Sequence, residues 1–413
     1  MKFIHAADIH LDSPLCGLAR YEGAPLEQMQ TATRRAFLNL IDLACQEAVD
    51  FVLLAGDLYD GDWKDYNTGL FFHQQMTRLR AAHIPVFIVY GNHDAGNVMT
   101  RQLQLPDNVR EFSQQHPETF RLDNLKVALH GQSFPTRAVS EDLSANYPKP
   151  ITGYYNIGLL HTSLEGREGH ASYAPCSVKG LLSHGYDYWA LGHVHHREIV
   201  HQSPYIVFPG NVQGRHVREA GAKGCTLVTV RDHVTELKHC PLDVLRWDVC
   251  ELDITPFSQA EDLIQDTRDR MAQLLQQAHD RPLAVRLILT GSSDVHTQLH
   301  RQPERWLNEL RAAATDGGLG HLWIEKILLQ STPPTPLEDF NSGPLGELMS
   351  TLRRLPVDQN ELDLLRAELK PLKQALPVEL RSDSIDPDNP ETIRHLLGGV
   401  EEFLMARLLA QST

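Results

Sequence analysis

Five short segments of the sequence carry side chains whose types and spacing could do chemistry together. Asp8-Ile9-His10 ends an apolar opening run, and in extended chain an i, i+2 spacing turns a carboxylate and an imidazole to the same side. Gly56-Asp57-Leu58-Tyr59-Asp60 follows the apolar residues 50–55, and Gly91-Asn92-His93-Asp94 follows residues 84–90. His161 closes residues 156–161, and Gly192-His193-Val194-His195-His196 follows residues 186–191. Singly, each has an ordinary structural use: Asp57 suits a helix N-cap as well as a ligand position, and a lone strand-end histidine more often just completes a hydrogen bond. Together, Asp8, His10, Asp57, Asn92, His161, His193 and His195 stand at successive carboxyl ends of what reads as one α/β sheet, where such folds put their sites. The set mixes imidazole nitrogen with carboxylate and amide oxygen, which suits Mn²⁺, Fe or Zn²⁺ better than Ca²⁺ or Mg²⁺ alone. It is too many ligands for one ion and fits two ions that share a bridging carboxylate. Such a pair activates water and neutralises the charge gathering on phosphate oxygens, so phosphoester hydrolysis is the chemistry indicated.

The elements that must hold these residues can be read from hydrophobic periodicity. Apolar runs at residues 2–7, 50–55, 84–90, 126–130, 156–161, 186–191, 205–208 and 225–230 predict buried strands. Apolar residues spaced by three and four over 31–48 and 66–82 predict amphipathic helices between the first three strands. This is α/β layering, assigned to a first domain over residues 1–240. Residues 245–330 read as strand, helix, strand, helix, strand, a small α+β domain. Ser331-Thr332-Pro333-Pro334-Thr335-Pro336 reads as a stiff linker, because its prolines can continue neither a strand nor a helix. From 337 to 413 the chain is leucine-rich, helical in pattern and acidic. That stretch fits either a small bundle packed on itself or on the body, or a docking surface for a helical partner.

Composition narrows the function classes. With 413 residues, 42% of them hydrophobic, the chain can bury more than one core. A net charge of −15 argues against a broad basic surface, so a phosphate-bearing substrate must be held locally, by metal or by a few placed cations. The 6 cysteines form no C-x-x-C pair and are too sparse for a disulfide framework, which excludes a cysteine zinc site and reads as reduced filler. No window approaches the roughly 18 apolar residues of a membrane span. The opening residues run straight into a strand instead of a signal peptide, so the expected compartment is the cytoplasm.

In order along the chain, D-x-H, G-D, G-N-H-D/E, H and G-H-x-H form the pattern of the calcineurin-like metallophosphoesterases, which this sequence resembles over roughly residues 1–215. Ala7-Asp8-Ile9-His10-Leu11-Asp12-Ser13-Pro14 and the stretches 186–198 and 208–216 are most similar to DNA double-strand-break repair nuclease subunits of SbcD type, among them the YhaO-like exonucleases. The resemblance implies an α/β metallophosphoesterase β-sandwich flanked by helices, then a small capping domain and a helical partner-binding tail. It implies that Asp8, His10, Asp57 and His195 hold one ion, and that Asp57, Asn92, His161 and His193 hold the other, with Mn²⁺ the expected metal. His93 is then the acid that protonates the leaving oxygen, and Asp94 the carboxylate that orients and polarises it. Physical logic agrees in outline, since an imidazole backed by a carboxylate keeps the proton it must donate.

One position departs from the pattern. Many nucleases of this group carry a histidine three residues after the bridging aspartate, and this sequence has Asp60 there, followed by Asp62 and Asp65. These acids read either as a solvated capping loop or as a gate that repels misplaced phosphate backbone, and the change bears more on processive exonuclease action than on phosphodiester cleavage. Arg215 and His216 could reach a substrate phosphate or pair on the surface. His196 and His170 read as neighbours of the ligands or as solvent residues, Cys176 and Trp189 as core. The stripes over 34–43 and 70–79 read as core or as a homodimer contact. The expected function is a two-metal phosphodiesterase acting on DNA, the exonuclease subunit beside a large coiled-coil SMC-like ATPase whose basic groove compensates the acidic chain. The alternatives are a hydrolase of a small phosphoester or cyclic nucleotide, and a non-catalytic, metal-braced adaptor of such an ATPase.

Overall fold

The apolar runs become the strands of two large sheets. The computed structural model of the protein describes residues 1–13, 29–60, 66–95, 104–165, 173–232, 234–279 and 281–334, and beyond these 347, 350, 351, 363–365, 367–371, 393 and 400. The chain divides into two compact units, one of Met1–Val249 with Leu275–Val285, the other of Cys250–Leu274 with the residues from Arg286 onward.

The first stretch of chain contributes β1 (Lys2–Ala6), α1 (Ala32–Gln46), β2 (Phe51–Ala55), α2 (Asn67–Ala81), β3 (Val86–Val89), β4 (Val109–Glu111), β5 (Glu118–Leu122) and β6 (Val127–Gly131). It continues with β7 (Tyr155–His161), α3 (Val178–Ser183), β8 (Tyr188–Gly192), β9 (Glu198–Gln202), β10 (Tyr205–Phe208), β11 (Gly224–Arg231) and β12 (Val234–Pro241). One sheet has the order β12-β11-β1-β2-β3-β4, parallel from β1 to β4, with β11 antiparallel to both β1 and β12. The other has the order β5-β6-β7-β8-β10-β9, parallel from β6 to β10 and antiparallel at both edges.

Strand residues alternate between two apolar environments. Phe3, Phe51, Leu53 and Phe87 of one sheet meet Leu129, Ile157, Leu159 and Tyr188 of the other. Facing the opposite way, Ile4, Val52, Leu54 and Ile88 pack with Phe37 and Leu40 of α1 and Phe72 and Met76 of α2. Leu160, Trp189, Leu191 and Ile206 pack with Phe134, Tyr147 and Leu181. Burial on both faces is why these strands read as nearly continuous apolar runs, and each fully buried side chain of this size contributes about 1.5–3 kcal/mol. The helical stripes lie in the same core through Phe37, Leu40, Ile41, Phe72, Met76 and Leu79, while Leu70 is exposed.

The second stretch contributes β13 (Arg246–Asp253), α4 (Ala260–Gln277), β14 (Leu283–Thr290), α5 (Asp294–Arg301), α6 (Pro303–Gly317) and β15 (Leu322–Leu329), with β14 central in a three-stranded sheet. Arg286 and Glu325 join β14 to β15 by a two-pronged ion pair at 2.9 and 2.8 Å. Ser331 is buried, Thr332 donates to the Gly291 carbonyl at 2.8 Å, and Ser292 Oγ donates to the Pro333 carbonyl at 2.9 Å, so the start of the proline segment is fastened to the loop after β14. The helical region expected over 337–413 lies outside the described residues, apart from the few named above, which are helical. Among the described residues no helix is long and apolar enough to cross a membrane.

At the carboxyl ends of β2 and β8 the two sheets come so close that a Cβ on Gly192 would stand 1.8 Å from the Ala55 carbonyl oxygen and 3.0 Å from His161 Nδ1. Gly192→Ala must push that backbone apart, at an expected cost of about 1–3 kcal/mol or more. A lower thermal denaturation midpoint than wild type is the expected readout; an unchanged midpoint would contradict the close approach.

Candidate metal centre

The loops after β1 and β2 leave the sheet side by side, with Asp8 N donating to Gly56 O at 3.0 Å, His10 N to Asp57 O at 3.0 Å and Leu11 N to Leu58 O at 2.8 Å. Asp8, His10 and Asp57 have φ of 50°, 46° and 50°, and His193, just past β8, has φ 104°. Left-handed backbone is uncommon outside glycine, and its clustering here turns four functional side chains toward one point. The loop between β2 and Asp57 passes so near β7 that a Cβ on Gly56, itself at φ +92°, would lie 2.3 Å from His161 Nδ1.

Three groups of candidate ligands result: two are made of the expected residues, and a third joins His10 to Asp60 and His93. In the first, Asp8, His10 and His195 bring ligand atoms within 4.8 Å of one another. Asp8 accepts from His193 N with both oxygens at 3.0 Å. His195 Nδ1 pairs with Glu219 Oε1 at 2.7 Å, which assigns the proton to Nδ1 and turns the Nε2 lone pair toward His10 Nε2, 3.2 Å away. In the second, Asp57, His161 and His193 lie within the same limit. His161 Nδ1 donates to the Ala55 carbonyl at 3.0 Å, which leaves Nε2 facing Asn92 Oδ1 at 3.0 Å and Asp57 Oδ2 at 3.4 Å. Asp57 Oδ2 is also 3.9 Å from His10 Nε2, so this carboxylate sits between the two clusters. All seven expected ligands are therefore gathered at one place.

These residues fit a pair of divalent cations. Asp8, His10 and Asp57 are each 1% exposed and His161 is 0% exposed, so their charges have almost no water to offset them. Burial, then the nearby Arg215 charge, holds His10 well below the usual histidine range, in the neutral form that binds metal, and its Nδ1 is buried without a hydrogen-bond partner. Burial pushes the Asp8 carboxyl up. Burial would also raise Asp57 and lower His161, but their mutual charge and hydrogen bond override it: Asp57 falls below the usual carboxylate range and His161 rises to about 9. The carboxylates thus call for positive charge at this spot, which a proton supplies on His161 and a divalent ion would supply in its place. By contrast His5, on β1, is a core histidine bonded to Tyr188 and Leu191, and burial lowers it to about 3.

His93 stands beside the clusters with its side chain 42% exposed, and its backbone N–H donates to Asp57 Oδ1 at 3.0 Å. The expected partnership with Asp94 is not what the structure shows. Asp94 turns inward and accepts from the backbone N–H groups of Leu58, Tyr59 and Gly91 at 3.2, 3.0 and 3.0 Å. Burial, then the Asp57 charge, pushes it up to about 7. The carboxylate on the imidazole is Asp60, whose Oδ1 lies 2.9 Å from His93 Nδ1. Its hydrogen bond is the largest influence on His93 and raises the imidazole pKa. The same bond holds Asp60 below the usual carboxylate range against partial burial, with Ser13 Oγ donating to its Oδ2 at 2.7 Å.

Arg215 is mostly buried beside His195, with Nη1 donating to Ser13 Oγ at 3.3 Å, Nη2 3.2 Å from Glu219 Oε1, and Nη1 4.0 Å from Asp60 Oδ2. His216 is more open, and its Nε2 lies 3.6 Å from Glu219 Oε1. His196 is exposed, and His170 lies outside the described residues. Sequence reasoning missed Glu219, which is 5% exposed and binds His195 Nδ1, Asn211 Nδ2 at 2.9 Å and Arg215 N at 2.7 Å. It also missed Lys223, whose Nζ donates to the His195 carbonyl at 2.8 Å. The available signal was the polar run after Gly210, where acids and bases crowd a short connection between buried strands.

The chain matches the family model of the calcineurin-like phosphoesterases over residues 1–197 and that of the metallophosphoesterase YhaO middle domain over residues 247–332. The uncharacterized metallophosphoesterase YhaO of Bacillus subtilis is 31% identical over 400 residues, covering 92% of this chain and 97% of that protein. The DNA double-strand break repair protein Mre11 of Methanopyrus kandleri is 25% identical over 231 residues, 51% of this chain and 48% of that protein. Among solved structures, a dimetal phosphatase from Danio rerio aligns at 12% identity over 56% of this chain and 93% of its own, with a TM-score of 0.36.

Glu219 holds the orientation and tautomer of a candidate ligand histidine, and removing such a partner typically weakens metal binding about 10–100-fold. Glu219→Ala is expected to show that loss for Mn²⁺ by isothermal titration calorimetry. Glu219→Gln, which keeps an oxygen to accept from His195 Nδ1, should lose less; equal affinity in all three proteins would remove the role.

Proposed function

The chain belongs to the calcineurin-like metallophosphoesterases, and from that premise we propose that it is a phosphodiesterase acting on DNA ends or single strands, working as the exonuclease subunit beside a large coiled-coil ATPase in the cytoplasm. The observation that carries the phosphodiester reading is His93, half-open beside both ligand clusters and backed by Asp60 at 2.9 Å. The likeness of half the chain to a DNA double-strand break repair protein supports DNA as the polymer.

Two divalent cations, with Mn²⁺ as the proposed metal, would polarise the phosphoryl oxygens and lower the pKa of water, chemistry that the chain's own groups lack. Asp8, His10, Asp57 and His195 would hold one ion, and Asp57, Asn92, His161 and His193 the other. The remaining work falls to the side chains around them. Asp60 occupies His93 Nδ1, so Nε2 is the atom left to protonate the leaving oxygen, and the raised pKa keeps a proton there to give. Asp94 gathers amides from the loops after β2 and β3 and so holds Asp57 and His93 in register. Arg215 sits between Glu219 and Asp60 and steadies the outer edge of the site, where a phosphate could share its charge.

The net charge of −15 makes a polyanion a demanding substrate, and it is what favours a second reading, a small phosphoester or cyclic nucleotide. A partner that supplies basic groups would meet that demand.

The deciding experiment measures Mn²⁺-dependent cleavage of end-labelled single- and double-stranded DNA against bis-p-nitrophenyl phosphate. His93→Ala is expected to lower DNA cleavage about 10²–10⁴-fold, the usual range for a lost general acid. The nitrophenyl ester should suffer less, because its leaving group departs without a proton. Turnover of the small ester alone, even with the ATPase added, would overturn the DNA reading. Asp60→Asn should follow His93→Ala in this leaving-group pattern, whereas Asp94→Asn should show first as a lower denaturation midpoint. The reverse order would return the orienting role to Asp94.

A further inference from the structure

Away from the metal centre, the antiparallel register of β11 and β12 sets Cys225 directly opposite Cys240. Arg231 pairs with Val234 across a two-residue connection, which makes that pair hydrogen-bonded; alternation from there places Cys225 and Cys240 on a hydrogen-bonded pair as well. Cα atoms of such a pair stand about 5.5 Å apart. That falls inside the roughly 4.4–6.8 Å over which disulfides close. Side chains diverge more there than at the alternate pairs, so a bridge strains the ladder and stays open to reduction.

The two thiols differ in access and in charge. Cys225 is 0% exposed, whereas Cys240 is 8% exposed and lies on the wall of a cleft formed with Asn39, Asp42, Gln46 and Lys238. The hydrogen bond from Cys225 is the largest influence on Cys240 and lowers its thiol to about 7 against burial, with help from Lys238, while Cys225 itself is pushed well up. A small oxidant therefore meets the more acidic of the two thiols at the cleft and finds the other behind it.

We propose that Cys225 and Cys240 are a reversible peroxide-modification site, in which Cys240 attacks the oxidant and Cys225 resolves the product. The Cys240 sulfur displaces hydroxide from hydrogen peroxide, the O–O bond breaks, a sulfenic acid forms, and the hydroxide takes up the proton that the Cys240 thiol gave up, as one water. Cys225 sulfur then attacks the sulfenyl sulfur, the S–S bond forms, the S–O bond breaks, and the departing hydroxide takes the Cys225 proton as a second water. Two thiols lose two electrons and one peroxide gains them. The site is independent of the reaction proposed above.

The test treats the whole protein with graded hydrogen peroxide, blocks free thiols with iodoacetamide, and maps tryptic peptides without reduction. Trypsin separates the segment Gly224–Arg231 from the segment 239–246, so only a disulfide can hold them together. The expected result is a cross-linked peptide pair, two hydrogens lighter than its parts and released by dithiothreitol, formed before Cys45, Cys176 or Cys250 reacts. Cys240→Ser should leave Cys225 alkylatable after unfolding, and Cys225→Ala should let Cys240 run on to sulfinic acid. Circular dichroism on both variants separates misfolding from chemistry. Oxidation of Cys240 in the wild type without the cross-link, or oxidation of Cys225 in Cys240→Ser, would overturn the proposal.

Discussion

Asp8 and Asp57 are carboxylates held almost wholly out of water, and the architecture around the metal centre follows from keeping them there. A buried charge costs several kcal/mol unless it is paired and hydrogen-bonded. Asp8 takes the His193 amide and Asp57 takes the His93 amide, so the first compensation comes from backbone at the ends of other strands. Those donors can be delivered only if loops from β1, β2, β3 and β8 converge, which requires both sheets to end at the same level. The left-handed conformations of Asp8, His10, Asp57 and His193 and the bare backbone at Gly192 are the local costs of that convergence. The same convergence brings in the imidazoles, and cations held there would complete the charge balance.

Much of this was legible in the sequence because two-sided burial and strand-end chemistry leave a coarse pattern. The predicted runs coincide with β1, β2, β3, β6, β7, β8, β10 and β11 to within a residue or two at most ends, and the predicted helices with α1, α2, α4 and α6. Missing from the reading were β4, β5, β9 and β12, which lie at sheet edges, carry Glu, Arg or Lys on half-open faces and so have no apolar run to find. The 8-residue helix α5, capped by Ser293, is too short to establish a period. The candidate ligands stood out because residue type and strand end coincide. The partner of His93 did not, because neighbours in sequence diverge in a turn: Asp94 points into the protein while Asp60 reaches across from the preceding loop. Glu219 is 24 residues from His195 and reads as one acid among many until the fold brings it there.

Asp60 also changes the meaning of the departure from the family pattern. A histidine there would be a second imidazole beside His93, and like charges in contact make both give up protons more easily. A carboxylate has the opposite effect, and Ser13 and Arg215 keep it from swinging away. The substitution therefore puts a fixed acceptor beside His93 where a second imidazole would stand, a different balance of charge at that edge of the site.

The strands at the borders of the two sheets bear on how the molecule behaves among its own copies. A flat, apolar border strand offers unpaired amides to any other chain, and such templates seed aggregation. Here β12 alternates exposed and half-exposed positions with Glu236 and Lys238, β4 is only 3 residues long with Arg110 and Glu111 open, and β5 and β9 carry Glu118, Arg121 and Glu198. Strands buried on both faces are the hazardous ones, and in each sheet they lie inside a frame of charged ones. The chain can thus carry long apolar runs while presenting little for a neighbour to extend.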